Sequence, residues 1–351
     1  MAHTKSGRIV SFDGLRGIAA LAVVLFHYCS LQTPSNILHP IFHYGTLGVI
    51  LFFIISGFVI SFTINKCRNV AHFTYARFAR LYPVYWASII FVFFLNTFLI
   101  MKKIPFSVYM GNLLMFQDLA HIPDVNAVYW TLQYELLFYC FIATLFYFKL
   151  FSKNLPFIIW GIAAFSWLLL QSYGLIDFPS ITSQIGHFLI LTYAPLFIFG
   201  VYLYKCYSEG WKLRHGLMLI AMAVIFTELY QLLHMDSYNP KTMKIYLFFI
   251  FLFSAYAAYR PEGKILSNKI MQFFGKISYS LYLTHYILGF AIFNVILPRI
   301  AVVPAILIAF SFSIVVGFLF NRLIEIPSHR YLVGIYKKKS EKSNAMVATS
   351  A

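Results

Sequence analysis

Charge is scarce in this chain. Asp, Glu, Lys and Arg together make up 11% of it, against 61% for apolar residues. That balance excludes an ordinary soluble domain. Acidic residues are the scarcest, 11 against 27 Lys and Arg. Cysteine is limited to Cys29, Cys67, Cys140 and Cys206, with no CxxC or other ligand spacing. Three of the four fall in or beside apolar runs, so they read as packing residues and no disulfide framework is expected. No His, Cys or carboxylate spacing of a zinc or di-iron site occurs, and no metal is expected. The alternation of an outer-membrane barrel is missing as well, because the apolar runs are long and continuous.

Those runs define an all-α, polytopic membrane protein. Ten spans lie near 14–31, 44–64, 84–101, 128–148, 155–173, 186–204, 214–233, 243–259, 278–297 and 301–320. Each is long enough to cross a core ~30 Å thick. Pro195 is expected to kink the sixth, and the ninth and tenth should form a hairpin. Lys5 and Arg8 ahead of the first run resemble a signal peptide. Arg16 and His27 interrupt that run, which reads as an uncleaved anchor. If the N-terminus is inside, the outer side keeps Lys102, Lys103, Lys241, Lys244 and Arg299, and the rest of the 27 lie inside. Both termini are therefore expected in the cytoplasm. The basic excess fits such inner loops, so no nucleic-acid partner is expected. Residues 1–335 form one membrane domain. The basic, apolar-poor stretch 336–351 reads as a disordered tail that meets membrane lipids.

The first span carries three ionisable groups. Arg16 and His27 are only about 20° apart around a helix and Asp13 is about 40° from His27, so all three share one stripe. Such groups inside hydrocarbon usually face the bundle interior and mark function. The bland alternative is a capping Asp13, a snorkelling Arg16 and a structural His27. Glu135, in the fourth span, is expected at the depth of His27 and able to orient its imidazole; a structural bond to a Tyr or Trp is the alternative. Arg77 and Arg80, three apart before Pro83, suit a phosphorylated ligand or lipid headgroups. His285 in the ninth span is expected about 10 Å in and below His27, lining a channel or bonding a facing Ser or Tyr. Ser56 and Gly57 read as close-packing residues. Glu325 is expected to pair with an arginine, and Glu228 has no assigned partner.

FDGLRGIAALAVVLFHY, FFIISGF, RFARLYPVYW, YWTLQYELLFY and SYSLYLTH, in this order, resemble the membrane-bound acyltransferase type 3 family. The resemblance runs from Phe12 to Pro327. It places the family's Arg and His on Arg16 and His27, its RxxR pair on Arg77 and Arg80, and its fourth-helix Glu on Glu135. It implies a stand-alone O-acyltransferase without a soluble C-terminal domain, in a bacterial inner membrane. The acyl-CoA donor, usually acetyl-CoA, would enter from the cytoplasm, and the acceptor would be a hydroxyl of a surface glycan or lipid-linked saccharide. On that basis His27, Glu135 and Asp13 are candidate catalytic residues, while Arg16, Arg77, Arg80 and His285 are candidates for holding the donor. His27 would act as general base, or carry the acyl group covalently. A proton-coupled transporter or flippase is the main alternative, but the internal pseudo-repeats such proteins often show are absent. A polymerase would want a larger outer loop than 102–127.

Overall fold

The computed structural model describes residues 9–175, 181–233 and 238–349. Every regular element among them is a helix. The ten longest before residue 321 fall where the ten apolar runs lie: α1 (Val10–Phe26), α2 (Gly48–Ile64), α3 (Val70–Leu95), α4 (Trp130–Tyr147) and α5 (Leu155–Ser172), then α6 (Ala194–Glu209), α7 (Leu213–Leu233), α8 (Pro240–Tyr259), α9 (Lys269–Ile296) and α10 (Val302–Phe320). A last helix, α11 (Ile326–Thr349), runs through much of the segment the composition leaves unstructured. Among the described residues, seven helical stretches are long and apolar enough to cross a membrane. Residues 1–8, with Lys5 and Arg8, and the loop residues Asp177 and Asp236 lie outside the described residues.

Three boundaries differ from the expected spans, each for a local reason. Helix α3 begins fourteen residues before 84, where Asn69 caps it by accepting from the backbone N–H of His72 (2.8 Å). Pro83 lies inside that helix and does not end it. Helix α9 begins at Lys269, capped by Asn268, which accepts from Met271 N–H (2.9 Å). Pro195 sits in the first turn of α6, where its missing N–H costs nothing, and so it starts the helix instead of kinking it.

Small residues set the crossings that position the interior. A Cβ on Gly57 would lie 2.2 Å from Phe197 O, and one on Gly200 2.1 Å from Ile54 O, so α2 and α6 cross backbone to backbone. Gly57→Ala should therefore force the pair apart and cost about 1–3 kcal/mol. Gly216→Ala in α7, where a Cβ meets nothing within 4 Å, should be neutral or stabilising. Thermal unfolding of the detergent-solubilised protein compares the two. A Gly57→Ala melt no lower than that of Gly216→Ala would refute the crossing.

The same device holds α1 on α9. A Cβ on Gly275 would lie 2.0 Å from Asp13 O, and one on Gly17 2.5 Å from Met271 O. Farther along, His27 meets His285. Contacts at 13/275 and 27/285 make the two helices parallel.

Candidate active site

His27 and His285 stand at one level. From Lys269 to His285 is sixteen residues, and from Val10 to His27 seventeen, so both rise roughly 25 Å from their helix starts. The expectation that His285 lies below His27 counted from 278. That start missed the amphipathic first turns of α9, which Asn268 caps. His285 Nε2 is 3.0 Å from His27 Nδ1, with the ring centroids 5.0 Å apart.

Sequence locks this pair from several sides. At His27 helix α1 passes into a π-helical turn, His27–Leu31, of a kind often found at functional sites. The wider turn brings buried Tyr28 onto α9 and α10: its hydroxyl is 2.6 Å from His285 O, to which it donates, and 2.6 Å from Ser313 Oγ. Gly289 leaves room for the Tyr28 ring, since a Cβ there would lie 2.2 Å from a ring carbon. Gln32 Nε2 adds a bond to Tyr286 O (3.2 Å).

Glu135 does not pair with His27. It accepts hydrogen bonds from Tyr139 and from Ser56 Oγ, the latter at 3.3 Å. The start of α4 is recessed, because Asn126 in the preceding loop donates to Leu283 O (3.0 Å) and Tyr282 Oη reaches Val128 O (3.0 Å) and Thr131 Oγ1 (2.7 Å). Counting down from an outer membrane edge at that start put Glu135 too high. Its carboxylate instead faces a cavity walled by α1, α2, α3, α4 and α9, together with Arg16, Arg77 and Arg80. Ser56 thus lines the cavity as well as sitting beside the Gly57 crossing.

The upper end of this cavity reaches Thr131, Phe52 and Tyr282, and the Tyr282 ring is 5.8 Å from that of His285. At its lower end Arg16, Val59 and Arg80 are shared with a larger inner cavity. Asp13, Lys276, Arg322, Glu325, His329 and Arg330 also line that one. Glu325 is bonded to Ser280 Oγ (2.6 Å) and Asn321 Nδ2 (2.9 Å) in place of the expected arginine. Helix α11 closes over the inner cavity and clasps α3: Tyr75 Oη donates to Leu332 O (3.0 Å), and Tyr336 stacks on His72 and Tyr75. Composition gave no sign of His329 and Arg330, since they follow the last apolar run.

Electrostatics single out the arginines. Arg16, Arg77 and Arg80 make no ion pair or hydrogen bond with any described residue, and Arg77 Nε is buried without a partner. Arg77 has only the faces of Phe73 and Tyr139, 5.8 and 5.9 Å from its guanidinium carbon. Asp13, Glu135 and Glu325 lie near enough to balance part of this charge without bonding to it. Three cations and the Glu135 carboxylate thus share one chamber, which leaves guanidinium donors available to an anion. Glu228, by contrast, is paired: Lys244 Nζ lies 2.7 and 2.9 Å from its two oxygens. All four cysteines are free thiols. Among the described residues no cluster could hold a metal ion.

The loop that recesses α4 carries Asp124, which accepts from Gln117 Nε2 (2.6 Å). Burial pushes its carboxyl up from 3.8 to about 6; the Gln117 bond opposes the shift and Asp118 adds to it. The folded loop therefore binds this proton more tightly than the unfolded chain does, and its stability should fall as pH rises from about 4 through 6. Asp124→Asn should remove that fall. Hydrogen exchange of loop amides at pH 4.5 and 7 tests it, and an equal pH response in the variant would refute the assignment.

Comparison with known proteins supplies the chemistry. The family model described as an acyltransferase domain, of the type 3 class, matches residues 9–322. The chain is 25% identical over 278 residues to ORF330 of Acidianus two-tailed virus, a protein provisionally named an acetyltransferase; the alignment covers 77% of this chain and 80% of that one. It is 31% identical over 155 residues to the acyltransferase MdmB of Streptomyces mycarofaciens, 38% of each chain. No solved structure matches it. The family match takes in both histidines and all three unpaired arginines, and by it this multi-pass helical membrane protein belongs to the type 3 acyltransferases.

Proposed function

We propose that the chain is an acyl-CoA-dependent O-acyltransferase of a bacterial inner membrane. It crosses ten times with both termini in the cytoplasm, and it moves an acyl group, acetyl first among the candidates, from cytoplasmic acyl-CoA to a hydroxyl of an extracytoplasmic glycan or lipid-linked saccharide. The observation that carries this reading is the trio of unpaired guanidinium groups around a chamber that ends beneath the histidine pair. The parallel course of α1 and α9 supports the topology, since an odd number of crossings must lie between two helices that run the same way, and α2 to α8 supply seven.

The donor fits the chambers by its chemistry. Its phosphates would meet Arg16, Arg77 and Arg80, together with Arg322 and Arg330 on the inner side. Its narrow pantetheine arm would rise between Phe52, Val59 and Tyr279, and Tyr282 must swing aside to admit the thioester to the histidines. His27 then takes the proton of the acceptor hydroxyl while that oxygen attacks the thioester carbonyl. The C–O bond forms, the C–S bond breaks, and the proton passes from the imidazole to the departing thiolate. Asp13 and Glu135 act below this point by balancing the arginine charge. Their part in transfer is electrostatic, and His285 belongs with His27 and away from the donor's phosphates.

Incubation of membranes with labelled acetyl-CoA tests the reading. Label should enter surface glycan, and mass spectrometry of that glycan should reveal one acyl group per modified sugar. Movement of a substrate across the membrane without transfer of label would replace the reading with transport.

A further inference from the structure

The hydrogen bonds around His285 determine where the protons of both imidazoles sit. His285 Nδ1 lies 3.1 Å from Leu281 O and 2.8 Å from Tyr282 O. Carbonyl oxygens only accept, so Nδ1 must carry a hydrogen. In the neutral ring Nε2 is then a bare acceptor, and its neighbour at 3.0 Å is His27 Nδ1. For that contact to be a hydrogen bond, His27 Nδ1 must be the donor. The His27 ring also bonds the backbone at Val23, whose carbonyl can only accept, and with Nδ1 as the donor Nε2 is left with the lone pair.

From this chain of bonds we infer that His285 is the positioning residue of the reaction: it holds His27 as the Nδ1–H tautomer and presents Nε2 as the base. Neutral histidine in water favours the other tautomer, with the proton on Nε2. In that form His27 would offer the acceptor hydroxyl a donor where an acceptor is needed. The arrangement follows the logic of an orienting group behind a catalytic imidazole, but here a second neutral imidazole fills the place of a carboxylate. It also remains favourable after proton transfer. When Nε2 gains the proton, Nδ1–H still points at the lone pair of His285 and the bond strengthens with the charge.

Tyr28 and Gly289 serve the same end. The Tyr28 hydroxyl occupies His285 O and the Gly289 gap seats its ring, so the backbone on either side of His285 is fixed while its imidazole points at His27.

The inference rests on the transferase reading for its purpose but not for its test. Nitrogen-15 NMR of the full-length protein, labelled at histidine and held in detergent micelles at neutral pH, reports which nitrogen of His27 bears hydrogen; a His27→Ala sample assigns the signal. A bare Nε2 and a protonated Nδ1 are expected, and a protonated Nε2 in the wild type would overturn the inference. His285→Leu should shift His27 to the Nε2–H form and lower kcat by about 10²-fold while leaving the KM for acetyl-CoA unchanged. His285→Gln, whose amide oxygen reaches the position of Nε2, should restore the tautomer and most of kcat. Loss of rate in both variants with His27 still Nδ1–H would also overturn it. If the tautomer is as described but wild-type membranes transfer no acyl group from acetyl-CoA, the transferase reading fails and the proton assignment stands; normal transfer by His27→Ala removes the base and, with it, the purpose of the pair.

Discussion

Replacing His27 with alanine is expected to lower acyl transfer by about 10²–10⁴-fold, the usual range for loss of a positioned general base. Membrane insertion and donor affinity should be unaffected. His27 lies at the top of α1, and its imidazole bonds to His285 and to the backbone of its own helix at Val23. The crossings that hold α1 in place are set at Gly17 and Gly275, several turns below. The Tyr28 bonds that join α1 to α9 and α10 remain in the variant. Transfer of labelled acetyl groups by membranes carrying equal amounts of each protein measures the effect. Near-normal transfer by the variant would remove the histidine from the chemistry.

The second large effect belongs to the arginine chamber. Arg77→Gln and Arg80→Gln should each raise the KM for the donor by about 10- to 100-fold, corresponding to one charged hydrogen bond of about 1.5–3 kcal/mol. The change in kcat should be smaller. Lysine at either position should recover part of the affinity, because it keeps the charge and loses the planar fork. The decisive comparison uses an acylated pantetheine lacking the nucleotide and its phosphates. Wild-type protein should bind it poorly, and the variants should discriminate little between it and acetyl-CoA. Equal discrimination by wild type and variants would separate these arginines from the phosphates. Neither substitution should unfold the protein, since no hydrogen bond or ion pair of either guanidinium with a described residue is lost.

Much of this was legible in the sequence because hydrocarbon imposes one simple rule on helices. Each of the ten apolar runs coincides with a helix, and the stripe of Arg16 and His27 on α1 faces the interior as its angular spacing requires. What the sequence hid was depth. Hydropathy finds where a helix is apolar, and it misses polar turns that continue the helix beyond the hydrocarbon. The first turns of α3 and α9 are of that kind, and both are announced only by a capping asparagine, Asn69 and Asn268. The start of α4 is hidden for the opposite reason, since a loop that hydrogen-bonds inside the bundle carries no compositional mark. Those errors of register separated His285 from His27 and joined Glu135 to it. Helix α11 escaped for a third reason: its mixed, basic sequence suits a surface tail as well as a helix braced by Tyr75 and His72.

The two imidazoles are 258 positions apart in the chain. At a synthesis rate of about 5–20 residues per second, the ribosome needs roughly 13–50 seconds to follow the first with the second. Throughout that interval the opening segment must reside in the bilayer with its arginine and its histidine unsheltered by the helix that will later cover them. Nascent chains released before α9 should therefore be recognised by quality-control proteases, and the enzyme exists as such only once nearly the whole polypeptide has been made.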